Sequence, residues 1–292
     1  MEDGRTRAAG RFRFEVAEEQ GGLRLDQFVA RCVPDLSRRK ARVVIEIGGV
    51  FVDRARVKVL GRRVRPGQIV EVHVGGAAAR ARDAERLPTY EIVHEDDEVV
   101  VVDKPSGLLT APTPESDRNN LADLLGRRSA PAGRVWVVHR LDLETSGLLV
   151  LAKTEHANRM LSERFRTHDV EREYLAVVAG EVSTSVGMID APIAGRRAVS
   201  HVSILQACAG ATLLRVRLET GRTHQVRIHL EGLGHPLRGD RRYGTRGPSE
   251  PPRLALHATR LGFAHPRTGD AMRFDRPWPS DLAAWIARLG AG

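Results

Sequence analysis

The sequence predicts an α+β protein in two parts: a small N-terminal α/β module, then a larger domain whose helices pack on a mixed, largely antiparallel sheet. Three features of the chain carry that expectation. Residues 23–75 hold two helical patterns followed by a hairpin pattern. Residues 75–86 contain no bulky apolar side chain, the composition of a flexible linker. Beyond Tyr90, short β-branched runs bounded by turn residues outnumber helical stretches. The length agrees, since 292 residues are long for one compact core.

Taken in order, residues 1–22 are read as a mobile leader, because Gly4, Gly10 and several arginines come with no hydrophobic period. The module spans 23–75. Leu25, Phe28, Val29 and Cys32 recur at helical spacing, and Ser37 suits the N-cap of a second helix running through Arg42 to Glu46. Residues 50–53 and 69–72 then form a hairpin that includes the Pro66-Gly67 turn. A linker covers 76–88 and the larger domain 89–292. That domain opens with a strand, an acidic turn and a second strand at 99–102, which runs into Asp103-Lys104-Pro105-Ser106-Gly107. Residues 135–138 and 148–151 are further strand-like runs, and helical spacing returns at 157–166 and 282–289. Residues 220–230 fit a strand by alternation and a helix by the i,i+4 pairs Val226 with Leu230 and His224 with Ile228, so the period leaves them open.

The charge balance narrows the partners. Lys and Arg outnumber Asp and Glu by 46 to 37, a net +9, and residues 23–75 alone carry 12 basic against 5 acidic side chains. A solvated surface would interleave the signs. Here Arg38, Arg39, Lys40 and Arg42 crowd one helix, and Arg54, Arg56 and Lys58 crowd the hairpin loop, which points to a polyanion. No run approaches the roughly 18 apolar residues of a membrane span, and residues 1–13 lack a signal-peptide core, so a cytoplasmic protein is expected. Cys32 and Cys208 stand far apart with no CxxC, which argues against a disulfide framework or a thiolate zinc site and reads both as buried small hydrophobes.

The densest polar stretch is His139-Arg140-Leu141-Asp142-Leu143-Glu144-Thr145-Ser146-Gly147, set between the strand-like runs at 135–138 and 148–151. A loop held by a rigid sheet is where reactive side chains are found disproportionately. Two others are Glu171-Arg172-Glu173-Tyr174 and Thr220-Gly221-Arg222-Thr223-His224-Gln225-Val226-Arg227. His139, His224, His229, His235 and His257 with Asp142 and Asp240 raise a metal reading. No HExxH occurs, however, and Arg140, Arg222 and Arg227 would oppose a dication, so no metal is expected. No GxSxG elbow or phosphate-binding glycine pattern is present. What survives is an ionised aspartate, Asp142, with arginines and a tyrosine. The residues alone leave two roles open, a nucleophile or one half of a structural Asp–Arg pair.

The segments "HRLDLETSGLLVLAK", "VVDKPSGLLT", "EREYLAVVAG", "GRTHQVRIHLEGLGHPLRGDRRYG" and "RLALHATRLGFAHPRTG" resemble, in this order, the signature segments of RluA-type pseudouridine synthases from about Tyr90 onward. Residues 23–75 look like the S-four-type RNA-binding fold. The resemblance implies isomerisation of uridines in RNA, most readily 23S ribosomal RNA. A transfer-RNA substrate, or a non-catalytic RNA-binding or ribosome-assembly protein, stands as the alternative. It implies no cofactor and a monomer. Asp142 matches the catalytic aspartate. Tyr174 matches the tyrosine that stacks on the base and is implicated in proton transfer at the ribose, and Arg227 matches the arginine paired with the aspartate. Arg140 matches a residue that helps hold the flipped nucleotide, and His139, Arg222, His224, Gln225 and Leu256 are expected at the substrate. Arg172 stands where relatives often carry lysine.

Overall fold

The computed structural model describes residues 10–34, 36–74, 88–112, 119–128, 134–183, 186–208, 210–244 and 250–289. The chain divides into two compact units, 1–87 with 112–123 and 88–111 with 124–292. All of the expected linker except Pro88 lies outside the described residues.

In the first unit, strands β1 (Gly10–Glu15), β2 (Val50–Val52), β3 (Ala55–Arg56) and β4 (Ile69–Val74) form one antiparallel sheet in the order β1-β4-β2-β3. Helices α1 (Leu25–Cys32) and α2 (Arg38–Glu46) accompany it, and Ser37 caps α2 by accepting from Lys40 N at 3.3 Å. Phe28, Val29 and Ile45 of the helices share one buried core with Val50, Val52, Val70 and Val72 of the sheet. Strand β1 corrects the expectation of a leader over residues 1–22. Arg11, Arg13 and Glu15 face solvent while Phe12, Phe14 and Val16 turn toward the core, a period of two carried by only three apolar residues. Arg11 and Arg13, which suggested a loose tail, are the outer face of a strand, while residues 1–9 of the expected leader lie outside the described residues.

Beyond residue 88 the elements are β5 (Glu91–Glu95), β6 (Val99–Lys104), α3 (Leu121–Arg128), β7 (Trp136–Val137), β8 (Ser146–Ala152), α4 (Glu155–Thr167), β9 (Glu171–Ala179), β10 (Met188–Asp190), β11 (Val199–Cys208), β12 (Ala211–Leu218), α5 (Gln225–Gly232), β13 (Leu256–Ala264), β14 (Ala271–Asp275) and α6 (Ser280–Leu289). Ten of these strands make one sheet, β10-β11-β12-β9-β13-β8-β6-β5 with β14 on β13 and β7 on β8. Every pairing is antiparallel except the short parallel contact of β13 with β8. At that contact Gly147 has φ 118, and a Cβ there would stand 2.3 Å from Ala258 O, so only glycine lets the two backbones meet.

Alternation along the strands sends side chains to both faces. Val99, Val101, Leu148 and Val150 pack with Ala157 and Leu161 of α4, and Ala176, Val178, Leu214 and Val216 pack with Val226 and Leu230 of α5. Val177 and Leu213 point the other way, to Leu282 and Trp285 of α6. Residues 225–232 are therefore helix, the reading the i,i+4 pairs allowed; His224, in the left-handed region at φ 55, turns the chain into it. Cys32 and Cys208 are half-buried, each packed at the margin of a core, so neither is the fully buried hydrophobe expected. Among the described residues no helix is long and apolar enough to cross a membrane.

Candidate active site

Asp142 sits in the loop between β7 and β8, and that loop is pinned from below by the turn after β6. Lys104 Nζ donates to Pro105 O (2.9 Å), Leu108 O (2.7 Å) and Leu143 O (3.4 Å). Ser106 Oγ donates to Glu144 O at 2.8 Å, and Gly107 N to Leu143 O at 2.8 Å. Thr110 Oγ1 donates to Leu141 O (3.0 Å) and accepts from Leu141 N (3.2 Å). Burial pushes the Lys104 amine down to about 7 against the pull of Asp142. The Asp-Lys-Pro-Ser-Gly run is thus the loop's foundation, a role that its place after an apolar strand did not announce.

One cleft gathers Arg140, Asp142, Tyr174, Arg222, His224, Gln225, Arg227 and Leu256, with Leu141, Thr145, Leu218 and Val226 completing its lining. Eight of the nine residues expected at the catalytic and substrate positions therefore meet, drawn from the 140s loop, β9, the 220s turn with α5, and the start of β13. His139 does not join them. Its Nε2 accepts from Val150 N at 3.1 Å and its ring stacks on Phe165 at 4.2 Å, while burial and the Arg172 charge push its pKa down to about 3. It braces β8 as a neutral ring. Gln225 lines the cleft, but its amide is spent on the protein. Oε1 accepts from Thr220 Oγ1 (2.8 Å) and Arg222 N (2.9 Å), and Nε2 donates to Val199 O (2.9 Å) and Ser200 Oγ (3.0 Å), which fills its hydrogen-bonding capacity.

Around Asp142 the geometry is symmetric. His224 Nε2 lies 3.7 Å from Oδ1 and Arg227 Nη1 lies 3.6 Å from Oδ2, both beyond hydrogen-bond range. Arg227 is ion-paired with Asp142, the pairing expected, but its hydrogen-bonded partner is Asp240. Nε and Nη2 reach the Asp240 carboxylate at 2.7 and 2.8 Å, and Nη2 is 3.3 Å from Glu144. Burial alone would raise the Asp240 carboxyl, but Arg227 and the backbone N–H groups of Arg242 and Tyr243 hold it below the carboxylate range. Asp240 entered the sequence reading only as a metal candidate. Its "RGDRRYG" neighbourhood signalled only an aspartate able to accept from the backbone of its own turn. Burial, with the Asp142 charge, pushes the Tyr174 phenol up to about 12, so at neutral pH it offers a ring and an O–H rather than a phenolate.

The remaining histidines of the metal reading are dispersed. His229 bonds Ser200 and Ala191, His235 bonds Ala179, and His257 bonds Ser146. Among the described residues no three potential ligands converge.

In the N-terminal unit Arg38, Arg39, Lys40, Arg42, Arg54 and Lys58 are exposed. Arg38 Nε is tied to the buried carboxylate of Asp26 at 3.2 Å, shared with Arg24 at 3.1 Å, and Arg56 lies over the Phe51 ring at 5.0 Å.

A family profile described as RNA pseudouridylate synthase matches residues 98–232, and the S4 domain profile matches 23–70. The ribosomal large subunit pseudouridine synthase D of Nitrosomonas europaea is 36% identical, with 94% of this chain and 86% of that protein covered. The chain belongs to the RNA pseudouridine synthase family. An uncharacterized RNA pseudouridine synthase of Bacillus subtilis is 37% identical over 94% of this chain and 96% of its own. The solved structure of human RNA pseudouridylate synthase domain containing 4 shares the fold, with a TM-score of 0.57 at 23% identity over 72% of this chain and 95% of that one. The synthase thus has an N-terminal S4 domain and an α+β catalytic domain, as the sequence segments implied.

Proposed function

We propose that this synthase acts on ribosomal RNA of the large subunit and that Asp142 is its nucleophile. The substrate reading rests on relatives named ribosomal large subunit pseudouridine synthase D at 36–37% identity. The mechanistic one rests on a single observation: a carboxylate at the cleft, faced on each oxygen by a donor that does not hydrogen-bond it. The lack of a tight bond leaves its lone pairs available for attack.

The isomerisation replaces the N1–C1′ bond of uridine by C5–C1′, with a proton leaving C5 and one arriving at N1. Asp142 attacks C1′ and breaks the N1–C1′ bond, so the base leaves with the electron pair and is protonated at N1; C5 of the turned base then attacks C1′, releases the Asp142 carboxylate and loses its proton. Arg227, anchored on Asp240, keeps its Nη1 facing the carboxylate so that charge changes there are met without rearrangement. Tyr174 supplies the stacking face for a base turned out of its helix, a step costing a few kcal/mol, and Arg140 at the cleft's exposed rim meets the vacated strand. The exposed bases of α2 and the following loop take phosphates. Ribosomal RNA as substrate makes the cytoplasm its compartment.

Asp142→Ala abolishes conversion while RNA binding persists, because one side chain supplies the nucleophile and many supply phosphate contacts. Mapping pseudouridines in cellular RNA with and without the protein identifies the target; sites confined to transfer RNA would move the substrate class.

A further inference from the structure

Tyr243 lies in the 221–244 signature segment but has been given no role above, yet it touches both groups that flank Asp142. Its hydroxyl is 3.0 Å from His224 Nδ1, with the two rings at 83° and 5.6 Å apart. Its ring face lies 5.2 Å from the Arg227 guanidinium carbon, with Arg242 also over the ring at 5.3 Å. Its backbone N–H is fixed by Asp240, the same carboxylate that grips Arg227.

The chemistry of the imidazole decides what this arrangement does. A carboxylate only accepts, so the ring nitrogen facing Asp142, Nε2, is the one favoured to carry hydrogen. In a neutral ring Nδ1 is then bare, and the Tyr243 hydroxyl donates to it. Burial, supported by the charges of Arg227 and Arg242 and opposed by those of Asp142 and Asp240, holds His224 below its ordinary pKa, consistent with a neutral ring. Backbone strain fits the same account: His224 occupies the left-handed region, a position kept only when the surroundings fix it.

We propose that Tyr243 is a positioning residue of the synthase, seating Arg227 with its ring and, through its hydroxyl, selecting the His224 tautomer that presents Nε2–H to Asp142. The proposal rests on Asp142 as nucleophile. Tyr243 acts through the two donors and touches no reacting atom.

The test combines a tautomer measurement with a mutant cycle. In the full-length enzyme labelled with 15N-histidine, His224, assigned by its loss in His224→Phe or His224→Gln, shows a bare Nδ1 and a protonated Nε2 near neutral pH. Tyr243→Phe keeps the ring over Arg227 but loses that pattern. Its kcat on an RNA hairpin falls about tenfold at unchanged KM and unchanged melting temperature, the size expected for one hydrogen bond to a charged network. His224→Phe falls at least as far, and adding Tyr243→Phe to it lowers kcat no further, because the hydroxyl works only through the imidazole. Should His224→Phe fail to fold, His224→Gln carries the cycle in its place. A protonated Nδ1 in the wild type, wild-type kcat in Tyr243→Phe, or losses that multiply in the double variant would each overturn the proposal. Asp142→Ala run in parallel separates the two readings: activity there removes the nucleophile assignment itself, whereas an inactive Asp142→Ala beside a fully active Tyr243→Phe removes only the role of Tyr243.

Discussion

Arginine does opposite work in the two units of this synthase. In the S4 unit the described carboxylates Asp26 and Glu71 take Arg24, Arg38, Arg11 and Arg13, while Arg39, Lys40, Arg42 and Arg54 face solvent. In the catalytic unit several guanidiniums are matched to acids, although Arg140 stays exposed at the cleft rim. Arg253 grips Asp281, Arg260 bridges Glu173 and Asp275, and Arg227 is buried against Asp240. The residue type is the same; the density of carboxylates decides whether its charge is offered outward or used to hold a site. Net charge therefore speaks for RNA affinity in one unit and says little about the other.

The largest break in this contrast is Arg227→Ala. Removing one partner of a buried pair leaves Asp240 uncompensated, which costs about 3–5 kcal/mol, and it strips one flank from Asp142. Thermal unfolding of the catalytic unit falls together with single-turnover rate, while the salt dependence of RNA binding stays as in wild type. A folded Arg227→Ala with normal turnover would remove its role. Asp240→Asn separates the two effects: it keeps a polar partner but loses charge, so stability falls less than in Arg227→Ala while the rate still drops.

The opposite break replaces Arg39, Lys40, Arg42 and Arg54 by glutamine. At a log-log slope of about −0.7 per phosphate contact on single-stranded RNA, losing four flattens the salt dependence of binding by roughly 3 units. Turnover at saturating enzyme on a short hairpin changes little. Parallel salt plots for variant and wild type would make this cluster a merely solvated face.

How much of this was legible in the sequence follows from the range over which each signal acts. Both helices of the S4 unit and the hairpin were readable because caps, turns and periods are local, as Ser37 and Val50 to Val52 illustrate. Strand β1 was not, since Phe12 and Phe14 acquire meaning only against Val70 and Val72 of a strand far along the chain. In the catalytic unit the motif segments placed eight residues in one cleft, but not which faces they turn. His139 stands one residue before Arg140 and faces Phe165 instead of the cleft, and Gln225 is consumed by the chain around it. The Arg227–Asp240 pair spans a helix and a turn, so neither residue's own neighbourhood reveals the other.

The smallest expected effect sharpens the contrast through histidine. Burial drives His139 to about 3 and His257 to about 4, whereas His73 is the S4 unit's one histidine between residues 10 and 74. Their folded values lie below the unfolded value of 6.5, so the unfolded chain takes up protons first. Stability is fully present above that pH and is lost as pH falls below it. Calorimetry between about pH 7 and pH 5, above most carboxylate titration, should lower the melting of the catalytic unit more than that of the S4 unit. Equal shifts in both transitions would contradict the assignment.

The division of labour itself is tested by one paired measurement: single-turnover pseudouridine formation and the salt slope of binding, on the same RNA, for Asp142→Ala and for the four-glutamine variant. Asp142→Ala is expected to lose formation and keep the wild-type slope, while the four-glutamine variant keeps formation at saturation and loses slope. Asp142→Ala that still forms pseudouridine at a tenth of the wild-type rate, or more, would contradict it.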